Sequence, residues 1–390
     1  MNATKPLILV DPLPRTVSMC FDGAARERLA FLGRLVVHES ARMPAAMVEE
    51  HLPEVEVLIG QTDMPAERLE RAGKLRAIIN IEGNFLPNID YATCFRRGIW
   101  VLNASPVFAQ TVAEMALGMM LDLARGISAA DRAFREGREV WGLESNAESF
   151  LIKGQPVGLI GFGDLGRAFR RLLVPFACPV KVYDPWLPDL LVRDHDCTPA
   201  GLDEVLSTSR VVAVFAAVTT DNRAMLGREQ LERIRPGSLF LLMSRAAVVD
   251  FEALVDCVAK GRFKASTDVF PDEPWPADHP VRKLDGMLLS AHRAGALDEV
   301  FKRIGELVLA DLALILKGLP PVMCKRAEPE TVARLRSMPV QVSRVFHRLW
   351  ISREHSGNQA GAAVGHTPRI LWRRLNFDPR PSSARVAAEG

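Results

Sequence analysis

Val157-Gly-Leu-Ile-Gly161-Phe-Gly163-Asp-Leu-Gly166-Arg167, followed by Val180-Lys-Val-Tyr-Asp184, decides the fold of this chain. It reads as strand, glycine-rich turn, helix start, second strand and terminal acid. Gly161 permits the tight turn out of the strand. Gly163 has no Cβ, so a diphosphate can approach the backbone, and Gly166 lets the helix pack closely on the strand. Asp164 and Leu165 lie where the helix begins, and the N–H groups and positive dipole end there offer an anion site. Asp184 stands 18 residues past Gly166. A carboxylate there can accept from both ribose hydroxyls and would repel a 2′-phosphate. The stretch therefore predicts a dinucleotide-binding unit that takes NAD rather than NADP.

Outward from this unit the chain alternates strands and helices. Before it, Pro6–Val10, Leu35–His38, Val55–Gly60, Leu75–Ile81 and Trp100–Leu102 read as strands. Ala24–Leu32, Pro44–His51 and Pro65–Ala72 read as the helices between them, which predicts a small parallel sheet. Residues 105–138 read as one long helical stretch, with Val112, Met115, Ala116, Met119 and Met120 at helical spacing. After the glycine loop, strands are expected at Val211–Ala216, Ser238–Met243, Ala265–Val269 and Gly286–Ser290, then a helix at Phe301–Lys317.

The 390 residues suggest two domains, and 48% hydrophobic with 25% charged residues is ordinary for a globular protein. The net charge of +2 implies no special polyanionic partner. Six scattered cysteines, without a CxxC pair or a Cys/His cluster, point away from zinc and disulfides, so no metal and a cytoplasmic location are expected. The N-terminus lacks the order of a signal peptide, and no apolar run is expected to span a membrane. Residues 334–390 differ in character. They hold ten Arg, no Lys and three acids, a net of +7 against +2 for the whole chain. A flexible basic extension is expected there, with Trp350 and Trp372 hinting at partial docking and nucleic-acid binding left open.

Three polar residues fall at the ends of predicted strands: Arg245, Glu273 and His292. In an open α/β sheet, ligands collect at the carboxyl ends of strands. A guanidinium there can grip a substrate carboxylate and polarise a carbonyl. An imidazole can deliver the proton that accompanies a hydride. A carboxylate on its far nitrogen favours the protonated ring and fixes its orientation.

These residues also carry a resemblance. With Asn88-Ile-Asp90, Val112-Ala-Glu114, Thr219 and Arg223, Ser244-Arg245, Val248-Val249-Asp250, Asp268-Val-Phe, Glu273-Pro274 and His292, residues 50–325 resemble the NAD-dependent D-2-hydroxyacid dehydrogenases. The resemblance implies a Rossmann doubly wound parallel sheet inserted into a flavodoxin-like substrate domain. The parts would be residues 1–104, the cofactor domain 105–295 and a return helix over 296–333. It implies that Arg245 binds substrate, His292 is the acid/base and Glu273 its partner. Asp268 would hold the nicotinamide amide or its ribose, and Thr111 would lie near the nicotinamide. Ala217, Thr219, Met243 and Ser244 join the cofactor set. A homodimer through the cofactor domain is also implied, with 105–138 as the matching segment.

Departures from the family bear on the substrate. Phe85 replaces the second glycine of the turn whose N–H groups cradle the substrate carboxylate, so Gly83, Asn84 and Phe85 are the expected substrate wall. Leu242 replaces Asn before the Arg, and Ala246 replaces Gly after it. Arg293 follows the His and is a candidate for reading a second acidic group. These changes lean toward a polyhydroxylated or larger 2-hydroxy acid. Two rivals are a nucleotide-sensing, corepressor-like scaffold and a formate or phosphite dehydrogenase of the same superfamily. A sensor has no need of an acid–base pair. Formate enzymes carry Gln where Glu273 stands, so Glu273 argues against formate, and phosphite stays open.

Overall fold

In the computed structural model, residues 5–334 are described. The basic extension, with Trp350 and Trp372, lies outside the described residues except for Arg334. Thirteen strands are present among them: β1 Leu7–Asp11, β2 Arg34–Val37, β3 Val55–Gly60, β4 Ala77–Asn80, β5 Trp100–Asn103, β6 Val157–Ile160, β7 Val180–Tyr183, β8 Thr198–Pro199, β9 Val211–Val214, β10 Leu239–Leu242, β11 Lys264–Thr267, β12 Met287–Leu289 and β13 Lys325–Arg326.

They form two sheets. The first has the order β13-β5-β4-β3-β1-β2, parallel except for β13. The second has the order β12-β11-β10-β9-β6-β7-β8 and is parallel throughout. Both are buried on two faces, which explains the continuous apolar runs in place of alternation. In the second sheet the strand order reverses between β6 and β9, so the glycine turn after β6 opens at the switch point.

Ser105–Arg138 is not one helix. A 3₁₀ turn at Ser105–Phe108 leads into Ala109–Arg125, and Gly126 at φ +64° separates that helix from Ile127–Arg135. The left-handed glycine ends the helix, a stop that spacing alone does not reveal. Ser105–Arg125, at 21 residues, is long and apolar enough by composition to cross a membrane, contrary to the expectation from the sequence. Its apolar face is spent on packing: it lies against the Asp164–Leu173 helix and buries Val112, Ala116, Met119 and Met120. A helix missed in the sequence, Tyr91–Arg97, starts where the Asp90 side chain accepts from Thr93 N at 2.8 Å. Asp250 caps Phe251–Ala259 in the same way, accepting from Ala253 N at 3.0 Å. Two acids of the family-like motifs are thus helix caps. Asn88 donates to the carbonyls of Gln61 (2.7 Å) and Thr62 (3.3 Å), tying the loop after β4 to the end of β3.

After β12 the chain returns to the first sheet as the helix Asp298–Leu316, which packs with Gly23–Leu32 on one face of it. Asp311 in that helix is fully buried. Its carboxylate accepts three successive backbone N–H groups, from Val322 (2.7 Å), Met323 (2.9 Å) and Cys324 (2.7 Å). This clamp fixes the turn that delivers β13 to β5. Asp311→Ala is expected to cost about 2–4 kcal/mol of stability, because charge-assisted bonds to an otherwise unpartnered turn are lost. Urea unfolding measures it, and a change within 0.5 kcal/mol, the surface-substitution range, would show the clamp to be idle.

Candidate active site

The glycine turn has the geometry its sequence demands. Gly161 has φ +90°, and a Cβ there would meet Ala216 N at 2.5 Å. A Cβ on Gly166 would meet Gly161 O at 2.5 Å, so the helix and strand touch through this glycine. Gly163 faces open space, and no side chain caps the Asp164–Leu173 helix that it precedes. An uncapped helix N-terminus beside open space fits the diphosphate of a dinucleotide. Asp184, at the end of β7, accepts from Phe162 N (2.8 Å) and from Trp186 N (3.0 Å), which binds it to the glycine turn itself. Leu165 is half-buried against the core. After β9, Asn222 stitches the loop by donating to Ala217 O (2.6 Å) and accepting from Thr219 N (2.8 Å). Met243 and Ser244, which follow β10, are buried, and the Ser244 hydroxyl has no hydrogen-bond partner. Thr111 donates to Phe108 O at 3.1 Å within its own helix.

The neighbouring strands β10, β11 and β12 end in the polar residues singled out from the sequence. Glu273 Oε2 lies 2.6 Å from His292 Nδ1, and Glu273 Oε1 accepts from Phe270 N at 3.0 Å. Burial pushes the Glu273 carboxyl up. The hydrogen bonds from His292 and Phe270 N, with the charges of His292 and Arg245, outweigh that and hold it below the usual range. Arg245 donates to Ser244 O at 2.7 Å. Burial lowers its pKa, opposed by the carboxylates of Glu273 and Glu82. Ring, carboxylate and guanidinium therefore share one corner. That corner can hold an anion and exchange a proton.

Asp268 also has a structural task beside the one expected of it. Its carboxylate accepts from Arg293 N (3.0 Å) and Ala294 N (2.9 Å), and its carbonyl accepts from His292 N (2.7 Å). Both of its oxygens thus hold the loop that carries the imidazole. His292 itself sits at φ +48°, a left-handed conformation rare for a non-glycine residue and held by this clamp. Arg293 is anchored by its backbone, and its side chain is exposed.

In the turn 83–85, the Phe85 ring is buried in the core of the first sheet, edge-on to Tyr91 at 6.4 Å, so the expected substrate contact falls to the backbone there. Burial of an aromatic ring outweighs what exposure in a polar cleft would give. Gly83 lies against Phe108, and Asn84 O accepts from Asn80 Nδ2 at 3.0 Å.

Two residues that the sequence reading passed over belong here. Arg15, after β1, donates to Glu82 at 3.0 Å, and a second contact between them is 2.9 Å. The guanidinium lies 4.2 Å over the Phe301 ring and 5.7 Å from the Phe108 ring. Burial pushes the Glu82 carboxyl up, against the charges of Arg15, Arg245 and His292, so Glu82 is within electrostatic reach of the acid–base corner. The available signal was a charged residue directly after the apolar run of β4.

Residues 117–294 match the family model for the D-isomer specific 2-hydroxyacid dehydrogenase NAD-binding domain. A glyoxylate reductase from Thermofilum pendens is 31% identical over 75% of this chain and 88% of its own length. A hydroxypyruvate reductase from Thermotoga maritima is 33% identical over 65% of this chain and 82% of its own. The crystal structure of a phosphoglycerate oxidoreductase from Rhizobium etli is 45% identical, with a TM-score of 0.76, over 83% of this chain and 99% of that one. An NAD-binding sheet with a Glu–His pair at its carboxyl edge, and relatives matched over most of their length, place the chain in the D-2-hydroxyacid dehydrogenase family.

Proposed function

We propose that Arg245, His292 and Glu273 interconvert a 2-oxo acid and a D-2-hydroxy acid with NAD(H). The observation that carries this reading is the 2.6 Å Glu273–His292 contact at the carboxyl edge of the sheet that also carries the glycine turn. NAD(H), held by the turn and by Asp184, supplies or accepts the hydride. Arg245 and the backbone of residues 83–85 bind the substrate carboxylate. His292 gives its proton to the oxygen at C2, and Glu273 stabilises the protonated ring. Asp184 favours NAD over NADP, since a 2′-phosphate would meet its charge. The Glu82–Arg15 pair lines the same corner with polar groups, which supports a hydroxylated 2-oxo acid. Arg293 supports a second acidic group on it. All six cysteines are free and buried, which supports a reducing, cytoplasmic setting.

The domain division we propose is the one read from the sequence, with the cofactor domain inserted between the first five strands and the return helix. We further propose a homodimer through the cofactor domain. Ile127, Phe134, Val140, Trp141 and Leu143 follow the long helix and are exposed, Trp141 at 75% and Leu143 at 89%. The Phe134 and Trp141 rings meet at 6.3 Å, and exposed apolar groups gathered in one segment support a surface that a second copy covers.

NADH oxidation by the purified protein with hydroxypyruvate, glyoxylate and sugar-derived 2-oxo acids tests the reaction. Turnover is expected with at least one. His292→Ala should lower kcat by about 10²- to 10⁴-fold with NADH binding retained, and undiminished turnover would sink the mechanism. Glu273→Gln removes the charge that stabilises the protonated ring. The high-pH decline of kcat/KM for reduction should then move down by about one pH unit or more. At the other end, the Glu273 carboxyl lies below its usual range, so the wild-type pair stays intact until pH falls through that lowered value. An unmoved high-pH limb would remove Glu273 from the mechanism. Sedimentation velocity should show a dimer that Trp141→Asp with Leu143→Asp converts to monomer, and a monomeric wild type would refute the interface.

A further inference from the structure

The segment that closes the described chain touches all three loops at the dinucleotide edge of the second sheet. It is anchored on the first sheet. Asp311 clamps residues 322–324, β13 pairs with β5, and Ala327 N donates to Val101 O at 2.8 Å. The turn Pro329–Val332 packs on Tyr91–Arg97, with Val332 against the core. From this fixed base, Lys325 Nζ reaches to 3.8 Å from Asp164 Oδ2, at the start of the glycine-turn helix after β6. Arg334 places its guanidinium 5.5 Å over the ring of Trp186, in the loop after β7. Its carbonyl accepts from Thr220 N at 2.8 Å, in the loop after β9.

We infer that residues 325–334 are a strap that holds the bound dinucleotide, with Lys325 facing its diphosphate and Arg334 its adenosine. The inference rests on the NAD-binding reading of the glycine turn, and not on the reaction. Asp164 puts a negative charge at the helix start where the diphosphate must sit. Arg167, 3.0 Å away, and Lys325 offset it. Lys325 is half-exposed and mobile enough to turn from Asp164 to a phosphate oxygen. Trp186 is held by the same carboxylate assigned to the ribose, since Asp184 accepts its backbone N–H. An indole there, with an exposed guanidinium stacked on it and a tether to the opposite loop at Thr220, bounds the place of an adenine ring. Because the strap belongs to the first sheet and the loops to the second, cofactor held by both links the two lobes. Cofactor affinity and lobe docking must then rise and fall together.

ADP-ribose, which has the diphosphate and adenosine but no nicotinamide, is the probe, with binding to the full-length protein read by calorimetry. Lys325→Ala and Arg334→Ala should each weaken it several-fold, and the double variant about tenfold. NADH, followed by its fluorescence, should dissociate correspondingly faster from the double variant. The melting temperature of the cofactor-free protein should stay unchanged, since exposed contacts of this kind add little stability. ADP-ribose affinity within twofold of wild type in the double variant would overturn the strap, as would a matching loss of cofactor-free stability. Failure of the wild type to bind ADP-ribose at all would overturn the cofactor reading with it.

Discussion

The carboxylate of Asp268 is the interaction on which the active corner depends. It is buried at the end of β11, and with its own carbonyl it takes three successive backbone N–H groups, those of His292, Arg293 and Ala294. A buried charge that accepts only backbone bonds cannot be exchanged for water without leaving those groups unpaired. The loop is therefore rigid where it carries His292 in a left-handed conformation. Rigidity there sets the 2.6 Å contact to Glu273, and a carboxylate orients an imidazole only within hydrogen-bond reach. Asp311 repeats the device in the first sheet. Two buried aspartates thus each hold a turn from behind, one aiming the imidazole and the other aiming β13.

The charges of the corner alternate in sign. Arg15 and Glu82 come from the first sheet; Arg245, Glu273 and His292 come from the second. The field at Glu82 includes Arg245 and His292, and the field at Arg245 includes both carboxylates. Isolated, the buried Glu82 carboxylate would be costly, and so would the largely buried guanidinium of Arg15. Arg245 feels both carboxylates and is bonded to neither, so its guanidinium is left with a backbone carbonyl as its partner. Arg15 is braced by Phe301 and Phe108, and Phe108 also lies against Gly83 and Gly295. One aromatic ring therefore lies near the ion pair and against both the turn after β4 and the loop that follows His292.

The fold was legible because its signals are local. Apolar runs of strand length and a glycine turn that tolerates no Cβ need no partner to be read. The nucleotide unit and the Arg245, Glu273 and His292 set were likewise marked by spacing and strand ends. What stayed hidden is what only packing decides. Asp268 is expected from the sequence to face a ligand, and nothing local shows that backbone N–H groups two dozen residues later also bond to it. Asp90 and Asp250 read as family motif acids, yet each caps a helix. The break at Gly126 was hidden because apolar spacing continues on both sides. Arg15 and Glu82 were missed because their partnership spans two strand ends far apart in sequence.

Phe85 shows how a departure from a family motif can be absorbed. A glycine at that position would leave a turn free to take any conformation, whereas phenylalanine restricts it. The ring nevertheless does not close the cleft, because the core between Tyr91 and the first sheet accepts it. Its burial fixes the conformation of the following residues, and Tyr91 reinforces this by donating to Leu86 O at 2.6 Å. The turn keeps its position through a packed side chain in place of backbone freedom. The same turn begins at Glu82, whose carboxylate is tied to Arg15 from the end of β1, so a packed ring on one side and an ion pair on the other hold it in place.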